Sequence, residues 1–281
     1  MNSTYKNPLL KSMKIGFVGA GHMTQALIKG MIQSKSVRAD QIIVSNRTPG
    51  KLIKLSETYG VQTRDYNEQV VEECDVVVLA MKPQDMPGAI ESIAGAFTEH
   101  QIIISLAAGI PFSTLTRQIS DGRLVRLMPN TPSIIGRGVL GFMSQKPDDY
   151  VTATVEDLFS SLGVVMQVDT EEKFDALMIS CSSGTGFVFE LMMYWQDWIE
   201  EHGFSEEWAR KMTVETFLGA SLLAAESEGI EIEELQSRVS SKKGVTAAGL
   251  QSMREMEIER AVRFCFEKAA MRSKEISNGS K

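Results

Sequence analysis

Lys14-Ile15-Gly16-Phe17-Val18-Gly19-Ala20-Gly21-His22-Met23-Thr24-Gln25-Ala26 runs from a short apolar strand through two closely spaced glycines into a helical pattern. That order builds a phosphate cradle. Gly19 permits the tight strand-to-helix turn, Gly21 lets a pyrophosphate approach bare backbone, and the first N–H groups of the helix, from His22 and Met23 on, point at the anion. Thr24 stands where a third Gly or Ala would allow the closest helix packing, so an ordinary glycine turn is the alternative reading. The next strand pattern, Gln41-Ile42-Ile43-Val44-Ser45, ends at Asn46-Arg47-Thr48. An acidic residue there would accept from the 2′-hydroxyl of NAD. Here a guanidinium flanked by Ser45, Asn46 and Thr48 offers donors to a 2′-phosphate, which favours NADPH and leaves NADH possible. The competing reading of Arg47 is a solvated residue at a helix start.

Working outward, apolar runs at residues 15–18, 42–44, 76–79, 102–106 and 124–127 alternate with amphipathic stretches, the pattern of a parallel, doubly wound α/β sheet of Rossmann type. In that architecture ligands bind in loops at the carboxyl ends of strands. The loops here are Ala80-Met81-Lys82-Pro83, Ala107-Ala108-Gly109 and Met128-Pro129-Asn130-Thr131-Pro132, and they add Ala80, Lys82, Pro83, Ala107 and Asn130 to the candidate cofactor contacts. Two further strands are expected at 138–143 and 164–168, flanking a helix around 150–161. The expected organisation is a loose extension over 1–12, a dinucleotide-binding domain over 13–168 and an all-helical domain over 169–281, with one helix shared between the two domains.

From residue 170 the strand alternation gives way to helical spacing. Phe187, Leu191, Trp195 and Trp198 share one face, and Ile258, Ala261, Val262, Cys265 and Ala269 share another. Such aromatic and methionine-rich stripes are read as core or subunit interface rather than as a cofactor box. Ala209, Thr213, Thr216 and Ala220 form a small-residue face that lets another helix approach closely. A helical domain of this kind is expected to form a homodimer.

The composition bounds the partners. With 281 residues, 43% hydrophobic, 23% charged and a net charge of −7, the chain is an ordinary globular length and an unsuitable surface for nucleic acid or anionic membrane. No unbroken apolar run of membrane-spanning length is read, and residues 1–12 lack the apolar centre of a signal peptide. Cys74, Cys181 and Cys265 are odd in number and lie in apolar patterns, so buried thiols in a reducing, cytoplasmic compartment are expected rather than disulfides. His22, His100 and His202 are far apart, and no metal site is expected.

Several motifs in order carry a resemblance to the pyrroline-5-carboxylate reductases over about residues 13–276: Val18-Gly19-Ala20-Gly21, Ser45-Asn46-Arg47, Ala80-Met81-Lys82-Pro83-Gln84, Arg126-Leu127-Met128-Pro129-Asn130-Thr131-Pro132 and Thr246-Ala247-Ala248-Gly249-Leu250. The resemblance implies NADPH-dependent reduction of a cyclic imine carboxylate, 1-pyrroline-5-carboxylate, to proline. It also implies a helical domain that interlocks in a dimer, and oligomers of dimers. It places Thr246 at the imine nitrogen and makes the turn from Ser241 through Gly244 and Val245 the grip on the substrate carboxylate. The other reading of Thr246 is a helix N-cap, and both roles could coexist. The departures lie on the substrate side. Where the family shows Ser-Pro-Gly-Gly-Thr-Thr this chain has Ser241-Lys242-Lys243-Gly244-Val245-Thr246. Where it shows Ser-Gly-Ser-Gly-Pro-Ala-Tyr this chain has Cys181-Ser182-Ser183-Gly184-Thr185-Gly186-Phe187, and His22 replaces a common asparagine. These departures keep two alternatives open, a weakly catalytic NADP-binding regulatory paralogue and a reductase of a different cyclic imine.

Overall fold

Short runs of Val and Ile form strands that are buried along their whole length when helices cover both faces of a sheet. The computed structural model describes residues 8–277. In it β1 (Ile15–Val18), α1 (His22–Gln33), β2 (Ile42–Ser45), α2 (Pro49–Tyr59), β3 (Gln62–Arg64), α3 (Asn67–Glu73), β4 (Val76–Leu79), α4 (Met86–Glu91), β5 (Ile102–Ser105), α5 (Phe112–Leu115), β6 (Arg123–Met128), β7 (Gly138–Ser144), α6 (Asp149–Phe159) and β8 (Gly163–Gln167) follow one another. The strands form one sheet in the order β3-β2-β1-β4-β5-β6-β7-β8. Every position of β1, β2, β4 and β5 is buried. The chain leaves β1 towards β2 and later returns to its other side at β4, which creates a crevice beyond the carboxyl ends of these strands.

Two apolar clusters sandwich the sheet. Phe17, Leu27, Ile28, Val44, Phe142 and Phe159 belong to one, and Ile43, Val70, Val77, Ile90 and Ile103 to the other. Gly16 is what lets α3 lie on β1, because a Cβ there would sit 2.5 Å from Val70 and 2.9 Å from the sulfur of Cys74. Burial pushes the Cys74 thiol up to about 12, which keeps it protonated and unreactive.

Three features differ from the sequence reading. The sheet is not wholly parallel: β7 runs against β6, since the connection over 129–137 is too short for a crossover helix. β3 is an additional strand whose polar Gln62-Thr63-Arg64 shows no apolar alternation; it pairs beside β2, and Arg64 grips Glu73 at 2.6 Å. The expected loose extension is not loose over residues 8–12. Leu10 is buried, and the Gln41 side-chain amide donates to the carbonyls of Leu10 and Met13 at 2.6 and 2.8 Å. Residues 1–7 of that extension lie outside the described residues.

The chain divides into two compact units. One holds the sheet, the residues to Ser182 and those from Ala270 on; the other is Ser183–Ala269. The division falls beyond the expected boundary at 168/169 because α7 (Glu171–Leu177) packs on the sheet. Phe174 and Leu177 are buried, and a Cβ on Gly141 would lie 2.4 Å from Leu177. After α7 come a π-helical turn, Met178–Ser183, and α8 (Gly184–Glu201). The run Glu171–Glu201 is helical throughout and is long and apolar enough, by length and composition, to cross a membrane. The reading of unbroken apolar runs missed it because Ser, Gly and Thr interrupt the stretch, while its Ile, Leu, Val, Phe, Met and Cys outweigh them in the average.

In the helical unit, α9 (Glu206–Glu226) buries Ala209 and Thr213 but leaves Thr216 and Ala220 exposed. α10 (Ile232–Arg238), α11 (Val245–Glu255) and α12 (Ile258–Ser277) follow, the last running from the helical unit into the residues from Ala270 on that belong to the sheet unit. Trp195 meets Phe217 edge-on at 5.4 Å, yet Trp195 and Trp198 remain 46% and 61% exposed, as do Phe189, Tyr194 and Trp208 in comparable degree. Of the three thiols only Cys74 is buried; Cys181 is half-buried and Cys265 exposed, which corrects the expectation of three buried thiols.

Asp175 on α7 supplies a test of packing in the sheet unit. Burial pushes its carboxyl up, Arg126 opposes the shift, Glu171 adds to it and Lys274 opposes it. A folded pKa above the unfolded one means that the ionised form costs stability in full above the folded pKa, and that this cost shrinks as pH falls below that value and is gone below the unfolded pKa. Asp175→Asn should therefore raise the thermal midpoint at about pH 8, with the gain shrinking toward about pH 4. Equal gains at both pH values in a calorimetric series would contradict this account.

Candidate functional site

The cradle is built where β1 ends. Gly19 has φ +110°, and a Cβ on it would lie 2.9 Å from the Ala80 carbonyl, so both the turn and the closeness of β4's exit demand glycine. Its N–H donates to the Ser45 carbonyl at 2.8 Å. Gly21 caps α1 without a side-chain hydrogen bond, and a Cβ placed there would meet nothing within 4 Å. The first turn of α1, at exposed His22 and half-buried Met23, carries no acidic residue. Open space before uncapped N–H groups fits a pyrophosphate. Thr24 does not spoil the turn. It is wholly buried, and its hydroxyl donates to the Gly19 carbonyl at 2.9 Å, tying the helix to the loop that a third glycine would merely have accommodated.

The residues after β2 divide their work. The Asn46 side-chain oxygen accepts from the Ala20 N–H at 3.1 Å, and its amide donates to the Thr48 carbonyl at 3.0 Å. The buried Ser45 hydroxyl donates to the Asn67 side-chain oxygen at 2.8 Å. Ser45 and Asn46 therefore brace the loop, whereas Arg47 is exposed and has no ion-pair partner among the described residues. Asn67, at the start of α3, was missed in the sequence because it sits in a polar stretch with no motif around it; only the pairing of β3 beside β2 brings it here. Ala80, exposed Lys82 and half-buried Pro83 follow β4, buried Ala107 follows β5, and buried Asn130 follows β6. These strands neighbour one another in the sheet, so all the cofactor candidates gather along one edge of it.

The substrate candidates lie in the other unit, between α10 and α11. The Gly244 N–H donates to the Ser241 carbonyl at 2.9 Å, and Lys243 adopts φ +62°. This is the pattern of a type II turn, with Lys242 second and Lys243 third. Gly244 is the N-cap of α11, with no side-chain cap bond; Val245 and Thr246 are its first residues, both exposed. The N-cap reading of Thr246 is thereby corrected: its hydroxyl stands two residues past the cap position, because the preceding turn closes on Gly244.

Two family models match the chain. "NADP oxidoreductase coenzyme F420-dependent" matches residues 14–109, and "Pyrroline-5-carboxylate reductase dimerisation" matches residues 171–276. A pyrroline-5-carboxylate reductase of Pseudomonas aeruginosa is 33% identical over 95% of this chain and 98% of its own length. The chain belongs to the pyrroline-5-carboxylate reductase family. Pyrroline-5-carboxylate reductase 2 of Bacillus subtilis is also 33% identical, over 94% of this chain and 95% of its own. The solved structure of a pyrroline-5-carboxylate reductase from Coxiella burnetii superposes with a TM-score of 0.88 at 29% identity, covering 95% of this chain and 99% of that one. The fold recurs, at 22% identity and a TM-score of 0.85, in a Plasmodium falciparum pyrroline carboxylate reductase with NADP bound.

Membership in the pyrroline-5-carboxylate reductase family gives the lysines a physical meaning. The turn geometry favours Pro second and Gly third, the residues of the family pattern, and here lysine occupies both places. A left-handed non-glycine residue costs roughly 1–2 kcal/mol. Lys243→Gly should relieve most of that strain and, after glycine's own entropy cost, stabilise the protein by up to about 1 kcal/mol. Urea unfolding at constant slope checks this, and a loss of stability would mean the lysine side chain makes a compensating contact.

Proposed function

We propose that this protein reduces 1-pyrroline-5-carboxylate to proline with NADPH. The observation that carries the reading is an open, glycine-built phosphate cradle with exposed Arg47 beside it, without an ion-pair partner among the described residues, in a chain whose second half matches the dimerisation domain of pyrroline-5-carboxylate reductases. When bound, NADPH supplies hydride to the imine carbon. A protonated imine accepts hydride readily, so the chain must mainly hold, orient and dehydrate it. Gly19, Gly21 and the amides at His22 and Met23 receive the pyrophosphate. Arg47 receives the 2′-phosphate, while Ser45 and Asn46 hold its loop, and Ala80, Lys82, Pro83 and Ala107 line the approach. The amides of the Ser241–Gly244 turn and of Val245 hold the substrate carboxylate, and the Thr246 hydroxyl orients the imine nitrogen.

The functional halves are 13–168 for the nucleotide and 169–281 for substrate and dimer. The exposed Trp195, Trp198, Trp208 and Phe189 are the surface a second copy covers, since so many large apolar side chains left open in one helical unit point to a covering partner. Dimers that assemble further, in the cytoplasm, complete the reading. The lysine-bearing turn favours one second reading, a cyclic imine other than the five-membered one.

NADPH oxidation should be observed with pyrroline-5-carboxylate and should exceed that with ring-size analogues. NADPH binding without turnover on any of them would point to a regulatory paralogue. Arg47→Ala should weaken NADPH by about 1.5–3 kcal/mol, the scale of hydrogen bonds to charged groups, and leave NADH almost untouched. Equal losses for both cofactors in titration calorimetry would remove Arg47 from the phosphate site.

Thr246→Val keeps the shape and deletes the hydroxyl. It should lower kcat/KM about tenfold, the equivalent of about 1.4 kcal/mol, with cofactor affinity unchanged. Parental kinetics in the folded variant would leave Thr246 as a helix residue only.

A further inference from the structure

Asn130 is the second residue of the loop between β6 and β7 and is only 6% exposed. Its side-chain oxygen accepts from the Val139 N–H at 2.8 Å, and its amide donates to the Cys181 carbonyl at 3.1 Å. Beside it the Ser182 hydroxyl donates to the Pro129 carbonyl at 3.5 Å. Four residues earlier Arg126, 2% exposed, pairs with Glu171 and lies 4.3 Å from the centre of the Phe174 ring. One strand and its loop are thus tied to one helix at two levels: at the helix's first residue and inside the π-helical turn Met178–Ser183.

The two ties are chemically different. The Arg126 guanidinium is buried and its Nε has no acceptor among the described residues, while its partner Glu171 stays half-exposed, so water screens that tie and it contributes little net stability. The Asn130 amide must accept on one side and donate on the other, both times to backbone. A carboxylate of the same shape accepts twice and donates nothing. A π-turn widens the helix by one residue and is common at functional sites. The one here includes Cys181-Ser182-Ser183, which stands where the family carries its substrate-side serine and glycine motif.

We infer that Asn130 is a positioning residue: its amide holds the β6–β7 loop and the π-turn in one fixed register and supports turnover without touching cofactor or substrate. This rests on the imine-reductase reading, and it gives Asn130 a different role from the cofactor contact expected from sequence. Both ends of its buried amide are engaged by the protein itself.

Asn130→Asp tests it. The new carboxylate faces the Cys181 carbonyl lone pairs, so kcat at about pH 8 should fall at least about tenfold, while the NADPH dissociation constant moves less than about twofold. As pH falls the carboxyl protonates, becomes a donor again and should restore kcat. Burial raises its pKa and brings this rescue into reach. The parent, measured over the same range, supplies the background, and Asn130→Leu, which has neither function, should show no rescue. NADPH affinity falling in step with kcat would make Asn130 a cofactor contact and overturn the inference. Unchanged kcat in the folded variants, or a loss without acid rescue, would also overturn it. Should the aspartate variant not fold, Ser182→Ala removes a contact at the same junction; about a twofold to threefold loss in kcat at constant NADPH affinity supports the inference, and no loss refutes it. A parent inactive on pyrroline-5-carboxylate defeats the functional reading separately. The positional claim is then read on whichever ring analogue turns over, and falls if none does.

Discussion

At the end of β1 there is no space for a side chain. The backbone turns there at φ +110° with the Ala80 carbonyl 2.9 Å from where a Cβ would stand. That crowding follows from inserting β1 between β2 and β4, and it fixes where α1 begins and which way its first amides face. The Gly19 amide holds the end of β2, the Ala20 amide holds Asn46, and the Ala80 amide holds the Val18 carbonyl. Three strands are therefore locked to one another at the point where the phosphate cradle opens. The cradle is a product of strand order as much as of glycine content.

Around it the site separates groups that brace from groups that remain available. Ser45, Asn46, Thr24 and Asn130 all carry polar side chains and all use them on the protein itself. Arg47 and Lys82 remain exposed. Buried polar groups must be paired to be tolerated, so the bracing set is rigid, and the exposed set retains its freedom to meet a ligand. In the helical unit, the turn at Lys242-Lys243 is a separate case. It keeps the geometry that Pro and Gly favour while carrying residues that favour something else.

The helical unit presents the opposite physics to the sheet unit. The sheet closes on itself in two apolar clusters, whereas the helices leave tryptophans and phenylalanines in the open. A helix unit so incompletely buried within its own chain is consistent with the dimerisation model that matches it.

The alternation of apolar runs, the glycine turn and the Arg47 position were all readable from residue order, because strand burial, positive φ and charge are local properties of side chains. So was the change to helical spacing after residue 170, and several motifs in series pointed to the family. What only the tertiary structure decided are the properties that depend on neighbours distant in sequence. β3 and Asn67 join the nucleotide edge because β2 lies beside them, not because of any pattern in Gln62-Thr63-Arg64. β7 reverses because its connection is short. Thr24 is a local case that still needed the folded backbone: its hydroxyl helps the turn by donating to a carbonyl five residues back. The amide of Asn130 meets Cys181, 51 residues along the chain, only because α7 and the π-turn pack against the end of β6. Residue types set which groups need partners; packing chose which partners they found.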